Sequence, residues 1–208
     1  MSVQDPDQKH KKKMQKQKEK VDAHIAAADV ERGVVILLTG NGKGKSSSGF
    51  GMVLRALGYD QKVGVVQFIK GVQLSGEEIF LKEKATLLPN FEASDFYQMG
   101  TGFTWDTQDR SGDIKAAEET WAVAERMLSD PRYHLVLLDE LTYMLAYKYL
   151  DEQRVLDAIK NRPPEQSVIV TGRGGGSAIQ ELSDTVSEVK NVKHAYDHHI
   201  KARKGVDY

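Results

Sequence analysis

Between residues 40 and 46 the chain reads Gly40-Asn41-Gly42-Lys43-Gly44-Lys45-Ser46, a combination suited to phosphate. Glycines let consecutive backbone amides point into one concavity, and a helix starting at Lys45 would add positive potential. The lysine would neutralise phosphate charge, and the Ser46 hydroxyl can ligate magnesium. The loop is shorter than the usual Walker pattern, because the residue five positions before Gly44 is Thr39 and the first glycine follows one place later. More candidate groups stand at Asp139 and Glu140, after the apolar run Leu135-Val136-Leu137-Leu138. If that run is a parallel strand, ligands gather at its carboxyl end, so both carboxylates face the edge that carries Ser46 and a magnesium role follows. The competing reading is an acidic helix start. Arg173, after Val170-Thr171-Gly172, is either a phosphate contact or a surface arginine. His198 and His199 are adjacent, and neighbours on a strand project apart, so they are not read as a two-histidine metal site.

Elements of the right kind surround these groups. Val34 to Thr39 is a continuous apolar run, as expected of a strand buried on both faces. From Lys45 the pattern turns helical, with Phe50, Val53, Leu54 and Leu57 at spacings of three and four, and Gly58 is the expected C-cap. Further strands are expected at Lys62 to Ile69, Leu135 to Asp139 and Ser167 to Thr171. A helix from about Asp113 to Leu128 places Ala117, Trp121, Ala124 and Leu128 on one core face. This alternation predicts an α/β fold with a mainly parallel, doubly wound sheet and flanking helices.

At 208 residues the chain has room for one such domain with a single core. Residues 1–32 are expected to form a polar, lysine-rich helical arm and residues 33–208 the P-loop domain. The formal net charge of -1 gives no argument for nucleic-acid or membrane binding, and no run approaches the roughly 20 apolar residues of a membrane span. Cysteine is absent, which excludes disulfides, thiolate metal sites and a cysteine nucleophile. No protein-bound zinc or haem is expected, and the cytoplasm is the default compartment. A RecA-like ATPase or nucleic-acid module using Glu140 as hydrolytic base, and a small-molecule kinase, are the rival readings of these motifs.

The words around the motifs narrow the choice. TGNGKGKSSSGFG, VGVVQFIKG, TGFTWDTQDR, LLDELTYMLAYKYL, VIVTGRG and VSEVKNVKHAYD, in this order, resemble the P-loop corrinoid adenosyltransferases of cobalamin synthesis and salvage. The likeness extends to the polar N-terminal helix and to Gly205-Val206-Asp207-Tyr208. It implies a RecA-like P-loop fold and a homodimer in which the arm packs over the active site. It also implies magnesium ATP as donor of a 5′-deoxyadenosyl group. The acceptor is Co(I) of a corrinoid such as cobyrinic acid a,c-diamide, cobinamide or cobalamin, with triphosphate leaving intact. ATP is taken to lie reversed in the short loop. By matching position, Gly40, Asn41, Gly42, Lys43, Gly44, Lys45 and Ser46 hold the phosphates, with Arg55 and Arg173 as further contacts. Ser46 and Glu140 attend magnesium, supported by Asp139. Phe103 and Trp105 match aromatics that displace the lower axial ligand of cobalt, easing its reduction, and a reduced flavoprotein such as flavodoxin is the implied electron donor. The chain departs from the family at Ser46-Ser47-Ser48, where threonines are more usual, at Gly71 to Glu77, where a tryptophan is frequent, and at Gly174-Gly175-Gly176.

Overall fold

The computed structural model describes residues 6–69, 74–100 and 109–208. Met1–Glu31 and Arg32–Tyr208 form separate units. In the first, helix α1 (Pro6–Ala26) begins with Asp7 in its first turn and ends with His24 in its last, which suits the helix dipole at both ends. It is exposed along its described length, so its helicity rests on propensity and on local pairs such as Gln15 with Glu19 at 3.0 Å.

The second unit is built on a six-stranded sheet in the order β3-β2-β4-β5-β1-β6. The strands are β1 (Val35–Thr39), β2 (Val63–Gln67), β3 (Phe96–Gln98), β4 (Leu135–Asp139), β5 (Ser167–Thr171) and β6 (Thr185–Glu188). Every pairing is parallel. All residues of β2 and β4 are buried. This is why these strands read as unbroken apolar runs: helices cover both of their faces.

The helices of this unit are α2 (Lys45–Leu57), α3 (Gly76–Ile79), α4 (Arg110–Ser129), α5 (Leu141–Ala146), α6 (Glu152–Lys160) and α7 (Gly176–Leu182). On one face Phe50, Val53, Ala56 and Leu57 of α2 pack on Val63, Val65, Leu135, Leu137 and Ile169. On the other, Ala117, Trp121, Ala124 and Leu128 of α4, with Val155 and Ile159 of α6, pack on Val66, Val136, Leu138, Val168 and Val170. Alternate strand residues thus serve opposite layers, and each fully buried aliphatic side chain contributes about 1.5–3 kcal/mol. The architecture is the α/β class expected from the alternation of elements, a parallel sheet with helices on both faces.

Boundaries differ from the sequence expectation by small amounts. Helix α4 starts at Arg110 rather than Asp113, because Asp109 caps it by accepting the Gly112 N–H at 3.1 Å. Gly58 caps α2 in a right-handed conformation, φ -67°, and the left-handed residue that follows is Asp60. Among the described residues, no helix is long and apolar enough to cross a membrane.

Candidate active site

The phosphate loop joins β1 to α2 at the carboxyl edge of the sheet. Gly40 and Gly44 have φ of 99° and 120°, values that favour glycine. Gly42 is required for a different reason: a Cβ there would lie 2.7 Å from the Lys190 backbone. The segment after β6 buttresses the loop, with the Val189 carbonyl accepting the Gly42 N–H at 2.7 Å. That amide is engaged within the protein, which holds the loop in place. The Lys45 ammonium donates to the Gly42 carbonyl at 2.9 Å. With 6% of its surface exposed, Lys45 has a lowered pKa because burial disfavours its charge, Arg173 adding to the effect and Glu140 and Asp139 opposing it. Gly44 gives α2 no side-chain cap, and the first turn carries no acidic residue, so that turn presents an uncompensated positive end.

Strands β4 and β5 supply the carboxylates and their supports. Asp139 is 2% exposed and fully engaged: Oδ1 accepts from the Thr171 hydroxyl at 2.7 Å and Oδ2 from Gln67 Nε2 at 3.0 Å. Gln98 Nε2 donates to Gln67 Oε1 and Glu78 Oε2, both at 3.2 Å, so a polar ladder runs from Asp139 to α3. Glu140 follows with a left-handed backbone, φ 59°, its N–H donating to Thr171 Oγ1 at 2.9 Å. For a residue that is neither glycine nor asparagine this is strain of order 1–3 kcal/mol, of the kind that marks functional positions. Gly172, φ 138°, lets the start of helix α5 approach the end of β5: a Cβ there would lie 2.1 Å from Thr142 Oγ1 and 3.2 Å from Glu140 Oε2.

Among the described residues Glu140 Oε2 is buried without a hydrogen-bond partner. Burial, together with Asp139, pushes its carboxyl up to about 7, while Lys45 and Arg173 pull it down. A buried carboxylate with a free oxygen beside a phosphate loop fits a divalent cation, which would relieve that penalty. Among the described residues no three His, Cys, Asp or Glu side chains are grouped to hold a metal by themselves. A magnesium here would therefore be completed by phosphate and water.

Lys45, Asp139, Glu140 and Arg173 thus share one electrostatic neighbourhood, with Ser46 beside Lys45 at the start of α2. Asn41 and Lys43 are exposed on the loop, and Lys43 is paired with Asp207 at 2.9 Å. Arg55 is not brought to this centre by its own chain: it sits exposed in the last turn of α2, roughly 15 Å along the axis from Lys45. Phe103 and Trp105 lie outside the described residues. His198 and His199 end an exposed 3-10 turn (Ala195–His198) instead of a strand. Sequence reasoning missed Gln67, Thr171, Gln98 and Glu78. The available signal was a polar residue closing an apolar strand, as in VGVVQ and SVIVT.

The family model for ATP:corrinoid adenosyltransferase BtuR/CobO/CobP matches residues 31–208, a span that includes the loop, both carboxylates and the segment that buttresses Gly42. The chain belongs to this family. It is accordingly an enzyme, a transferase of the corrinoid adenosyltransferase class. It is 50% identical over 202 residues to a corrinoid adenosyltransferase of Escherichia coli (strain K12), covering 97% of this chain and 99% of that protein. Identity to a corrinoid adenosyltransferase of Pseudomonas aeruginosa is 51%, covering 97% of each chain. Identity to the corrinoid adenosyltransferase CobA of Salmonella typhimurium is 47%, covering 97% of this chain and 99% of that one.

Proposed function

We propose that this enzyme transfers the 5′-deoxyadenosyl group of ATP to Co(I) of a corrinoid such as cobyrinic acid a,c-diamide, cobinamide or cobalamin, in synthesis or salvage of the adenosylated cofactor. The Co(I) electron pair attacks C5′, a Co–C bond forms, the C5′–O bond breaks, and its electron pair leaves with intact triphosphate. Co(I) is already a strong nucleophile, so the chain needs no general base, and its task is to position C5′ and to stabilise the leaving group. Lys45 and the first-turn amides of α2 would hold the triphosphate in a fixed, partly water-excluded cradle. Ser46 and Glu140 would hold magnesium, which supplies further charge neutralisation when bound. Asp139 would support that shell: its oxygens accept from Thr171 and Gln67, and Thr171 in turn accepts the Glu140 N–H, so Asp139 orients the Glu140 backbone.

The observation that supports this reading best is the buried, unpartnered Glu140 oxygen in the same field as Lys45 and Arg173, within a chain of this family. Phe103 and Trp105 are read as the wall that removes the lower cobalt ligand. Residues 1–32 are read as an arm that closes over the site of a homodimer. A cytoplasmic setting and a reduced flavoprotein such as flavodoxin as electron donor complete the reading. Mixing the protein anaerobically with magnesium ATP, a reductant and cob(II)alamin or cobinamide should give a light-sensitive alkylcobalt spectrum and one triphosphate per product. Formation of diphosphate without alkylcobalt would replace this reading with a kinase or ATPase.

A further inference from the structure

The residues after the 3-10 turn reach back to the phosphate loop. Asp207 Oδ1 lies 2.9 Å from the Lys43 ammonium. Its other oxygen is already placed, because Oδ2 accepts the Arg203 N–H at 2.7 Å while the Asp207 N–H donates to the Arg203 carbonyl at 2.8 Å. Gly205, with φ 78°, closes the same turn by donating to the Tyr208 carbonyl at 2.7 Å. Lys43 stands on an equally fixed base, since the neighbouring Gly42 N–H is tied to Val189. The contact therefore joins two pieces whose geometry is set independently. The Asp207 carboxyl is held below the usual range by Lys43 first and the Arg203 N–H second, so it is ionised at neutral pH. Beside it a cavity of about 450 Å³ opens between Phe50 and Leu54 of α2, Phe80 and Val206, with Lys43 and Asp207 in its lining.

We propose that Asp207 is a positioning residue for the nucleotide: it holds the Lys43 ammonium where the phosphate loop meets this cavity and so sets the affinity for polyphosphate. This rests on the reading of the loop as the ATP site. The Lys43 and Asp207 side chains are 45% and 28% exposed, and pairs so exposed add little to fold stability. What the pair does provide is order. A free lysine must be immobilised when a polyphosphate binds, and one already held loses less side-chain entropy at that moment. The effect belongs to binding, because a lysine fixed before and during the reaction favours ground state and transition state alike.

The test uses the full chain and two probes, magnesium ATP and magnesium tripolyphosphate, titrated calorimetrically into the parent, Asp207→Asn, Asp207→Glu, Lys43→Ala and the Lys43→Ala/Asp207→Asn double variant. Asp207→Asn should raise Kd for both probes by roughly two- to fivefold, the size of an exposed ion-pair effect. KM for ATP should rise in parallel while kcat and the melting temperature stay at parent values. Asp207→Glu should recover part of the loss, and the double variant should bind no more weakly than Lys43→Ala alone. Equal affinity of Asp207→Asn and parent, or additive losses in the double variant, overturn the role of Asp207 while leaving the ATP site standing. A parent protein that binds neither probe overturns both.

Discussion

At the amino-terminal edge of the sheet, just before β2, β3 and β4, Lys62, Asp95 and Tyr133 form a buried polar cluster. Asp95 is 1% exposed, yet its oxygens accept from the Tyr133 hydroxyl at 2.7 Å, the Lys62 ammonium at 2.7 Å and the Glu92 N–H at 2.8 Å. Lys62 also lies 5.2 Å from the Tyr133 ring centre. At the carboxyl edge Glu140 keeps, among the described residues, an oxygen without a hydrogen-bond partner, and Lys45 donates to a carbonyl of its own loop while Glu140 and Asp139 favour its charge. Both clusters bury charge between the same strands. One is saturated from within and the other is left with capacity, which is what separates a scaffold from a site that awaits a charged ligand.

The comparison breaks first at Asp95. Asp95→Ala should destabilise the fold by about 3–5 kcal/mol, since it leaves Lys62 and the Tyr133 hydroxyl without their buried acceptor. Transfer activity of the molecules that remain folded should be kept. Chemical denaturation and turnover per folded enzyme check this, and loss of turnover without loss of stability would make the amino-terminal cluster functional. Lys45→Ala should do the reverse. ATP affinity should fall by roughly two orders of magnitude, as for a lost charge-assisted phosphate contact worth about 2–3 kcal/mol, while the melting temperature holds or rises. Unchanged ATP affinity by calorimetry would remove the loop from the site.

Glu140 supplies a pH signature. Its folded carboxyl lies near 7, above its ordinary value of 4.5, so between those values the folded state binds more protons than the unfolded one. Stability from this group is therefore present below about pH 4.5 and is lost as pH rises through about 7, by an amount on the order of 3 kcal/mol. Glu140→Gln should flatten that part of the stability profile of the ligand-free protein. A profile identical to the parent's across pH 5 to 8 would mean the carboxyl is not raised.

How much of this was legible in the sequence depended on what each residue is surrounded by. Strands β4 and β5 were readable to the residue because burial on both faces makes a continuous apolar run. Strand β6 was not, since Thr185, Val186, Ser187 and Glu188 are all exposed at the sheet edge and carry no period. Strand β3, at the other edge, is three residues long, too short for a pattern. Lys45 and Glu140 were legible because local spacing implies their chemistry. Gln67 and Thr171 were not, as a polar residue at a strand end acquires meaning only when another strand delivers Asp139 beside it. The commitment of the Gly42 amide to Val189 was hidden for the same reason, being a contact between distant segments.

The finest test lies in Arg173, which is exposed and whose guanidinium makes no hydrogen bond among the described residues, yet whose charge acts on both Glu140 and Lys45. Its positive charge lowers the Glu140 carboxyl and lowers the Lys45 ammonium pKa, so it opposes the burial penalty at one and adds to it at the other. Arg173→Ala should therefore move the Glu140 midpoint upward in the stability profile, with the fold unchanged. ATP affinity should weaken only about two- to fivefold, because an exposed charge acts through screening solvent. Arg132 provides the matched control at the amino-terminal edge, where it is exposed and pairs with Asp130 through Nη2 at 2.6 Å. Arg132→Ala should leave both the Glu140 midpoint and ATP affinity where they were. Added salt should shrink the Arg173 effect and leave the control untouched. If the two variants shift the profile equally, Arg173 is acting through net charge alone, and the carboxyl edge holds no special field.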